Sequence, residues 1–266
     1  MYSLCAVERL FEVIHEDAEL LVINKRAGLV CHPTKTDEYS SLISRARLYL
    51  GKDSRPHLIN RLDRETSGVV LVAKTDTAAR ELRQLMENRV VRKEYLAIVH
   101  GHVAVEQGVI DAPLGKDDHS RVAVKNCVRP DGAPSQTNFW VEKRFSRTVA
   151  SYASCNHSFE TAESNMERPF TLIRLQPLTG RKHQIRIHLA HYGHPIVGDK
   201  IYGGDEDLYL ALVENHLTPE QRARLIFEHH ALHAGVLGLP WRGRDLEFRC
   251  EAEGWFKGFF AEPDCG

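Results

Sequence analysis

Apolar residues at the start of the chain come in short runs. FEVIH at 11–15 and LLVIN at 20–24 are rich in branched residues and bounded by polar ones, so each predicts a strand, and after a break at Gly28 the run LVCH at 29–32 predicts a third. Leu42, Ile43, Ala46 and Leu50 then recur at helical spacing ahead of Gly51, which predicts a short helix from Ser40 to Leu50. The charge-rich segment from His57 to Gly68 reads as a loop. It feeds directly into VVLVA at 69–73, an unbroken apolar run of the kind a strand buried on both faces requires. Asp76 is placed to cap a helix reaching about Asn88, with Ala78, Leu82, Leu85 and Met86 inside and Arg80, Glu81, Arg83 and Glu87 outside.

Further along, EYLAIVHG at 94–101 predicts a strand, and so do Arg121 to Lys125, Thr137 to Lys143 and Thr171 to Leu175. The polar stretch at about 146–169 has no period and reads as an insertion or a long surface loop. In KHQIRIHLAHYG, Ile185, Leu189 and Tyr192 share one helical face and Gly193 supplies a stop. Thr218 and Gln221 form a capping box in front of QRARLIFEH, and LHAGVL and DLEFRC return to strand. Strands and helices are interspersed without regular βαβ alternation. The expectation is therefore an α+β fold with a mixed, largely antiparallel central sheet and flanking helices and loops.

The chain has 266 residues, long enough for one large domain or two small ones at roughly 150 residues each. No repeat or linker divides it, so a single domain spanning 1–266 is expected. Its 42% hydrophobic and 27% charged residues are ordinary for a folded protein and exclude collagen-like and disordered classes. Glu8, Arg9 and Glu12 interrupt the stretch where a signal peptide would need an apolar run, so a cytoplasmic protein without membrane attachment is expected. The six cysteines form no CxxC pair and suit reduced thiols.

Net charge is only −1, but the charges are unevenly spread. Residues 41–93 hold twelve Lys and Arg against six Asp and Glu, 168–200 hold six against one, and 204–230 hold two against six. Two locally basic segments could meet a polyanion, although a charge run is also an ordinary solvated surface.

Two segments concentrate chemistry. NRLDRETSG at 60–68 sets Asp63 between Arg61 and Arg64 in a glycine-ended loop, which suits an ionised carboxylate acting as nucleophile or base, or alternatively a structural salt bridge in a turn. PLTGRKHQIRIHLAHYGHPIVGDKIYG at 177–203 gathers Arg181, Lys182 and Arg186 around a helix start, with His183, His188, His191 and His194 close by. The zinc-protease spacing HExxH is missing, and so are GxGxxG, GxxxxGK[ST] and GxSxG, so no metal, dinucleotide or phosphate-loop site is expected.

NRLDRETSGVVLVAKT, together with EDAELLVINKRAGLVCHP, KEYLAIVHG, TGRKHQIRIHLAHYGHPIVGDKIYG and the LHA at 232–234, resembles the RNA pseudouridine synthases of the RluA type. The five blocks occur in that family's order and run from about Glu16 to the end of the chain. The resemblance implies that family's catalytic fold and an enzyme that isomerises uridine to pseudouridine in ribosomal or transfer RNA, with no cofactor and no required protein partner. It places Asp63 as the catalytic aspartate, Tyr95 as the active-site tyrosine and Arg186 as the basic residue paired with the aspartate. Leu232 takes the place of the apolar pocket residue, and Arg61 that of the loop arginine which the family is thought to use in opening the RNA helix. Arg64, Arg181 and His183 fall in the same blocks and are expected at the substrate.

Two positions depart from the family pattern. Asn60 stands where His usually precedes RLD, and Arg26 stands where the KPxG block usually has Pro. The family often carries an N-terminal RNA-binding domain of the S4 type. Only about fifteen residues precede the first block here, so RNA docking is expected of the catalytic domain itself.

By the resemblance, Asp63 starts the reaction at the ribose, either by attack at C1′ or by removing the 2′ proton. Tyr95 stacks on the uracil and assists loss of the C5 proton, and Leu232 helps exclude water. Two other classes fit the same residues. A non-catalytic RNA binder would keep the fold and lose nothing in Asp63→Ala, and a glycosidase would need a partner acid such as Glu65 or Glu94.

Overall fold

The computed structural model describes residues 11–33, 40–51, 53–152 and 163–261. In chain order the elements are β1 (Glu12–Glu16), β2 (Leu20–Lys25), α1 (Leu42–Leu50), β3 (His57–Leu58), β4 (Ser67–Ala73), α2 (Asp76–Glu87), β5 (Arg92–His100), β6 (Gln107–Asp111), β7 (Leu114–Lys116), β8 (Asn126–Val128), β9 (Gln136–Tyr152), β10 (Glu163–Pro177), α3 (Gln184–His191), α4 (Glu206–Val213), α5 (Pro219–Leu225), β11 (Leu232–Trp241), β12 (Arg244–Arg249) and α6 (Gly254–Phe260). The chain divides into two compact units, residues 1–95 with 232–254 and residues 96–231 with 255–266.

The first unit is built on β2 and β4, paired antiparallel from Leu20 opposite Ala73 to Lys25 opposite Gly68. Strand residues alternate faces, and here the two sets of alternate residues enter different cores. Leu20, Val22, Val69 and Leu71 pack with Ala78, Ala79 and Leu82 of α2, whereas Leu21, Ile23, Val70 and Val72 pack with Leu42, Ile43 and Ala46 of α1. Every residue of β4 is buried, which explains why its apolar run has no polar alternation.

β1 pairs antiparallel with β2, while β11 lies parallel to β4 through His233–Ser67 and Ala234–Gly68. That approach demands glycine at 68: its φ is 121°, and a Cβ there would lie 2.2 Å from the Ala234 carbonyl oxygen. β12 completes a hairpin on β11, and β3 pairs with β4.

In the second unit the strands run in the order β5, β10, β9, β6, with β7 and β8 as a separate hairpin. β9 and β10 are antiparallel over their whole length, interrupted by one irregularity at Leu172/Ile173. Ile187 of α3 packs with Leu114, Val122, Ile201 and Tyr202 in a smaller core.

The α+β class with largely antiparallel strands agrees with the sequence reading, and so does the Thr218–Gln221 capping box. Four local expectations need correction. LVCH is not a strand: the Val30 and Cys31 carbonyls instead accept the N–H groups of Leu42 and Ile43, donors that the start of a helix leaves unpaired. Residues 121–125 form a turn, because Glu206 gathers Ser120 Oγ, the Arg121 N–H and Lys125 Nζ while Val122 is buried beneath. The stretch 146–169, read as a loop or insertion, is strand at 146–152 and 163–169, and its remainder, 153–162, lies outside the described residues. The cap of α2 is Thr75, whose hydroxyl accepts the Ala78 N–H, and Asp76 follows in the first turn. The apolar helix α4 forms where no element is expected from the sequence. Among the described residues no helix is long and apolar enough to cross a membrane.

Candidate active site

Asp63 sits half-buried in the loop between β3 and β4, within a turn closed by the Thr66 N–H on its own carbonyl. Both ends of the loop are fixed. On the near side the Asn60 side chain takes the place of a neighbouring strand: Nδ2 donates to the Val69 carbonyl at 3.1 Å, and Oδ1 accepts the Leu71 N–H at 2.7 Å. On the far side Ser67 Oγ lies 2.9 Å from His233 Nδ1, and His233 Nε2 lies 3.2 Å from the Cys250 carbonyl oxygen. Burial keeps His233 neutral by lowering its pKa, which suits this uncharged link. The LHA block thus holds the exit of the aspartate loop through its histidine.

Beneath the loop lies Lys25, a fully buried lysine. Its Nζ donates to the carbonyls of Arg26 and Leu29 at 2.9 Å and of Arg64 at 3.1 Å, using all three ammonium protons. Burial pulls its pKa down from 10.5 to about 8, opposed by the negative charges of Asp63 and Glu253. The Gly28 N–H also donates to the Arg64 carbonyl at 2.9 Å, and Arg64 Nε donates to the Gly28 carbonyl at 3.2 Å. Cys31 Sγ receives the Leu62 N–H, and burial raises the pKa of its thiol, so it stays protonated. The segment 25–31 is therefore a cradle under Asp63.

Tyr95 ends the first unit's share of β5 and packs against the cluster that contains Leu62 and Ala234. Burial raises its pKa, and the negative charge of Asp63 raises it further, so the phenol remains protonated at neutral pH. Asp63 is thus close enough to Tyr95 for its charge to be felt there. Leu232 is buried at the head of β11, whereas Arg61 and Arg64 are exposed.

In the second unit, α3 carries Arg186 almost fully buried. Its Nε donates to Asp199 Oδ2 at 2.7 Å and its Nη2 to Oδ1 at 2.9 Å, and its guanidinium lies 5.0 Å from the Tyr202 ring centroid. Asp199 Oδ1 also accepts the Ile201 and Tyr202 N–H groups. Burial alone would raise the Asp199 pKa, but the Arg186 charge and these hydrogen bonds hold it well below the usual carboxylate range. His183 caps α3 in the left-handed conformation, φ 56°, with Nδ1 2.8 Å from the Tyr202 hydroxyl. Arg181 is exposed, and its N–H donates to Gln184 Oε1.

Two further histidines of this segment, His188 and His194, have structural surroundings. His188 is buried between Thr137 Oγ1 and the Ala112 carbonyl, and His194 contacts the His100 carbonyl. Among the described residues no group of three or more His, Cys, Asp or Glu side chains lies together as metal ligands would.

The structure thus groups Asp63, Tyr95, Leu232, Arg61 and Arg64 in one unit and Arg181, His183 and Arg186 in the other. Two residues that shape these surroundings, Lys25 and Asp199, have no local sequence signature. Lys25 stands at the end of the run LLVI between Asn24 and Arg26, where a solvated charge is ordinary, so nothing local announces its burial. Asp199 follows Gly198 in the basic segment 177–203, but nothing local says that it would meet Arg186.

A sequence pattern for the RNA pseudouridylate synthase family matches residues 19–191, a span that includes Asp63, Tyr95 and Arg186. A ribosomal large subunit pseudouridine synthase D of Zymomonas mobilis is 33% identical over 250 residues, 90% of this chain and 68% of that protein. The uncharacterized RNA pseudouridine synthase YlyB of Bacillus subtilis is 33% identical over 245 residues, 89% of this chain and 67% of that protein. Among solved structures, human RNA pseudouridylate synthase domain containing 4 superposes with a TM-score of 0.66 at 27% identity, covering 95% of this chain and 92% of that one. With the Asp63 loop, the tyrosine beside it and a family match over most of the sequence, this chain belongs to the RluA-type RNA pseudouridine synthases, enzymes that isomerise uridine in RNA to pseudouridine.

Proposed function

We propose that this chain, acting as one catalytic domain in the cytoplasm, modifies particular uridines of ribosomal or transfer RNA, with Asp63, Tyr95 and Arg186 as its catalytic set. The observation that carries this reading is the suspension of Asp63 between the Lys25 cradle and the Ser67–His233 link, beside a tyrosine that senses its charge. Four relatives from different bacteria named ribosomal large subunit pseudouridine synthase D favour ribosomal RNA as the first substrate to try.

The reaction breaks the N1–C1′ bond, turns the uracil over and forms C5–C1′. The C5 proton leaves and N1 gains one, so no electrons enter or depart. Asp63 initiates at the ribose, by attack at C1′ or by taking the 2′ proton. Tyr95, protonated at rest, stacks on the base as a hydrogen-bond donor rather than a resident base. Arg186 supplies fixed positive charge for the reacting groups, and buried Leu232 limits water. Arg61, Arg64, Arg181 and His183 bind the RNA, whose target base must leave its stack at a cost of roughly a few kcal/mol.

The test uses RNA tritiated at uridine C5. Wild type is expected to release tritium to water and Asp63→Ala to release none. Equal release by both proteins would remove Asp63 from the reaction, and no release from any cellular RNA lacking the modification would favour a non-catalytic binder.

A further inference from the structure

Arg26 is one of the two noted departures from the family pattern, a cation standing where the block usually has proline. Its surroundings give no structural reason for the charge. The side chain is exposed and forms no ion pair with any described residue. Only its backbone is used, as one of the three carbonyls held by Lys25 Nζ.

That backbone is locked to the catalytic loop. Lys25 Nζ bridges the Arg26 and Arg64 carbonyls, the Gly28 N–H donates to the same Arg64 carbonyl, and Arg64 Nε returns to the Gly28 carbonyl. From the other side the Ala27 N–H donates to Glu253 Oε1 at 2.7 Å. The turn at 26–29 therefore moves with the loop at 61–66. The exposed charged side chains of this joint lip are Arg26, Arg61 and Arg64, whereas its carboxylates, Asp63, Glu65 and Glu253, are half-buried. His32, exposed nearby, has its pKa lowered by partial desolvation and by the Arg61 charge, so it adds no fixed positive charge to the lip.

We infer that Arg26 is an RNA-binding residue of this enzyme, contacting a backbone phosphate of the strand that delivers its uridine to Asp63. The inference rests on the RNA-modifying reading above. A free arginine on a rigid cationic lip, beside a carboxylate that must meet a ribose, matches a phosphate near the target nucleotide: the guanidinium can engage two phosphate oxygens. A phosphate contact binds without reading sequence, and it registers in the salt dependence of affinity.

The experiment measures tritium release and RNA affinity for wild type, Arg26→Gln and Arg26→Lys over a series of salt concentrations, with Arg80→Gln as a control. Arg80 is exposed on α2, away from the lip in sequence, and has no assigned part in the site. Arg26→Gln is expected to raise KM several-fold at low salt, leave kcat near wild type, and reduce the slope of log affinity against log salt by about 1. Arg26→Lys is expected to restore most of the slope, and Arg80→Gln to change neither. If Arg26→Gln keeps the wild-type slope and KM while wild type is active, Arg26 touches no phosphate and the inference is overturned. If wild type releases no tritium, the broader reading fails, and binding slopes alone decide the role of Arg26.

Discussion

Arg186 and Asp199 meet through two parallel hydrogen bonds, 2.7 and 2.9 Å, both side chains buried in the second unit. The proposed catalytic arginine is therefore aimed by a carboxylate thirteen positions further along the chain, which is itself fixed by two backbone N–H groups. If Arg186 is catalytic as proposed, Asp199 acts through it as a positioning residue.

Removing one partner of a buried pair strands the other, so Asp199→Ala is expected to lower stability by roughly 3–5 kcal/mol. Asp199→Asn retains the shape and loses the charge. It should fold, with kcat reduced by about tenfold or more and KM changed less, since only the aim of Arg186 is altered. Urea unfolding and tritium-release kinetics together check this. Because the folded pKa of Asp199 lies below its unfolded value, the stability it contributes is present above about pH 4 and is lost as the pH falls below that. The acid limb of the unfolding curve should be shallower in Asp199→Asn.

Lys25 predicts opposite pH trends for stability and activity. Its folded pKa of about 8 is below the ordinary 10.5, so between these values the unfolded chain keeps a proton that the folded chain has released. Burying the charge therefore costs stability below pH 8, and the cost is relieved as the pH rises towards 10.5. The neutral amine, however, has two protons for three carbonyls, and the cradle under Asp63 loses a bond. The expected result is a kcat that declines above pH 8 while the thermal midpoint does not fall with it. A kcat that stays level through that range would show that the third hydrogen bond is dispensable.

Asn60 fills the family's usual histidine position with an amide turned to the backbone of β4. Asn60→Ala leaves a buried N–H and a carbonyl without partners and should cost about 2 kcal/mol. Activity per folded molecule should fall little, because the groups it serves belong to the strand and not to the substrate. A large loss of kcat at unchanged stability would instead place Asn60 at the RNA.

The residues by themselves settled the elements whose signals are local. The run at 69–73 announced a strand buried on both faces, the spacing of Leu42, Ile43 and Ala46 announced α1, and Thr218 with Gln221 announced the start of α5. The order of five motif blocks also marked the family and pointed to Asp63 and Tyr95. Local pattern failed where distant groups compete for the backbone. Residues 29–32 have strand composition, but the start of α1 takes their carbonyls, and residues 121–125 are bent by Glu206 from some eighty positions away. Tertiary structure alone decided that Lys25 lies under the Asp63 loop, that His233 holds its exit, and that Arg186 is gripped by Asp199. Each of these links joins residues remote in sequence through a hydrogen bond or ion pair. Hydrophobic period carries no record of such pairings, because it encodes which face is buried and not which polar group awaits there.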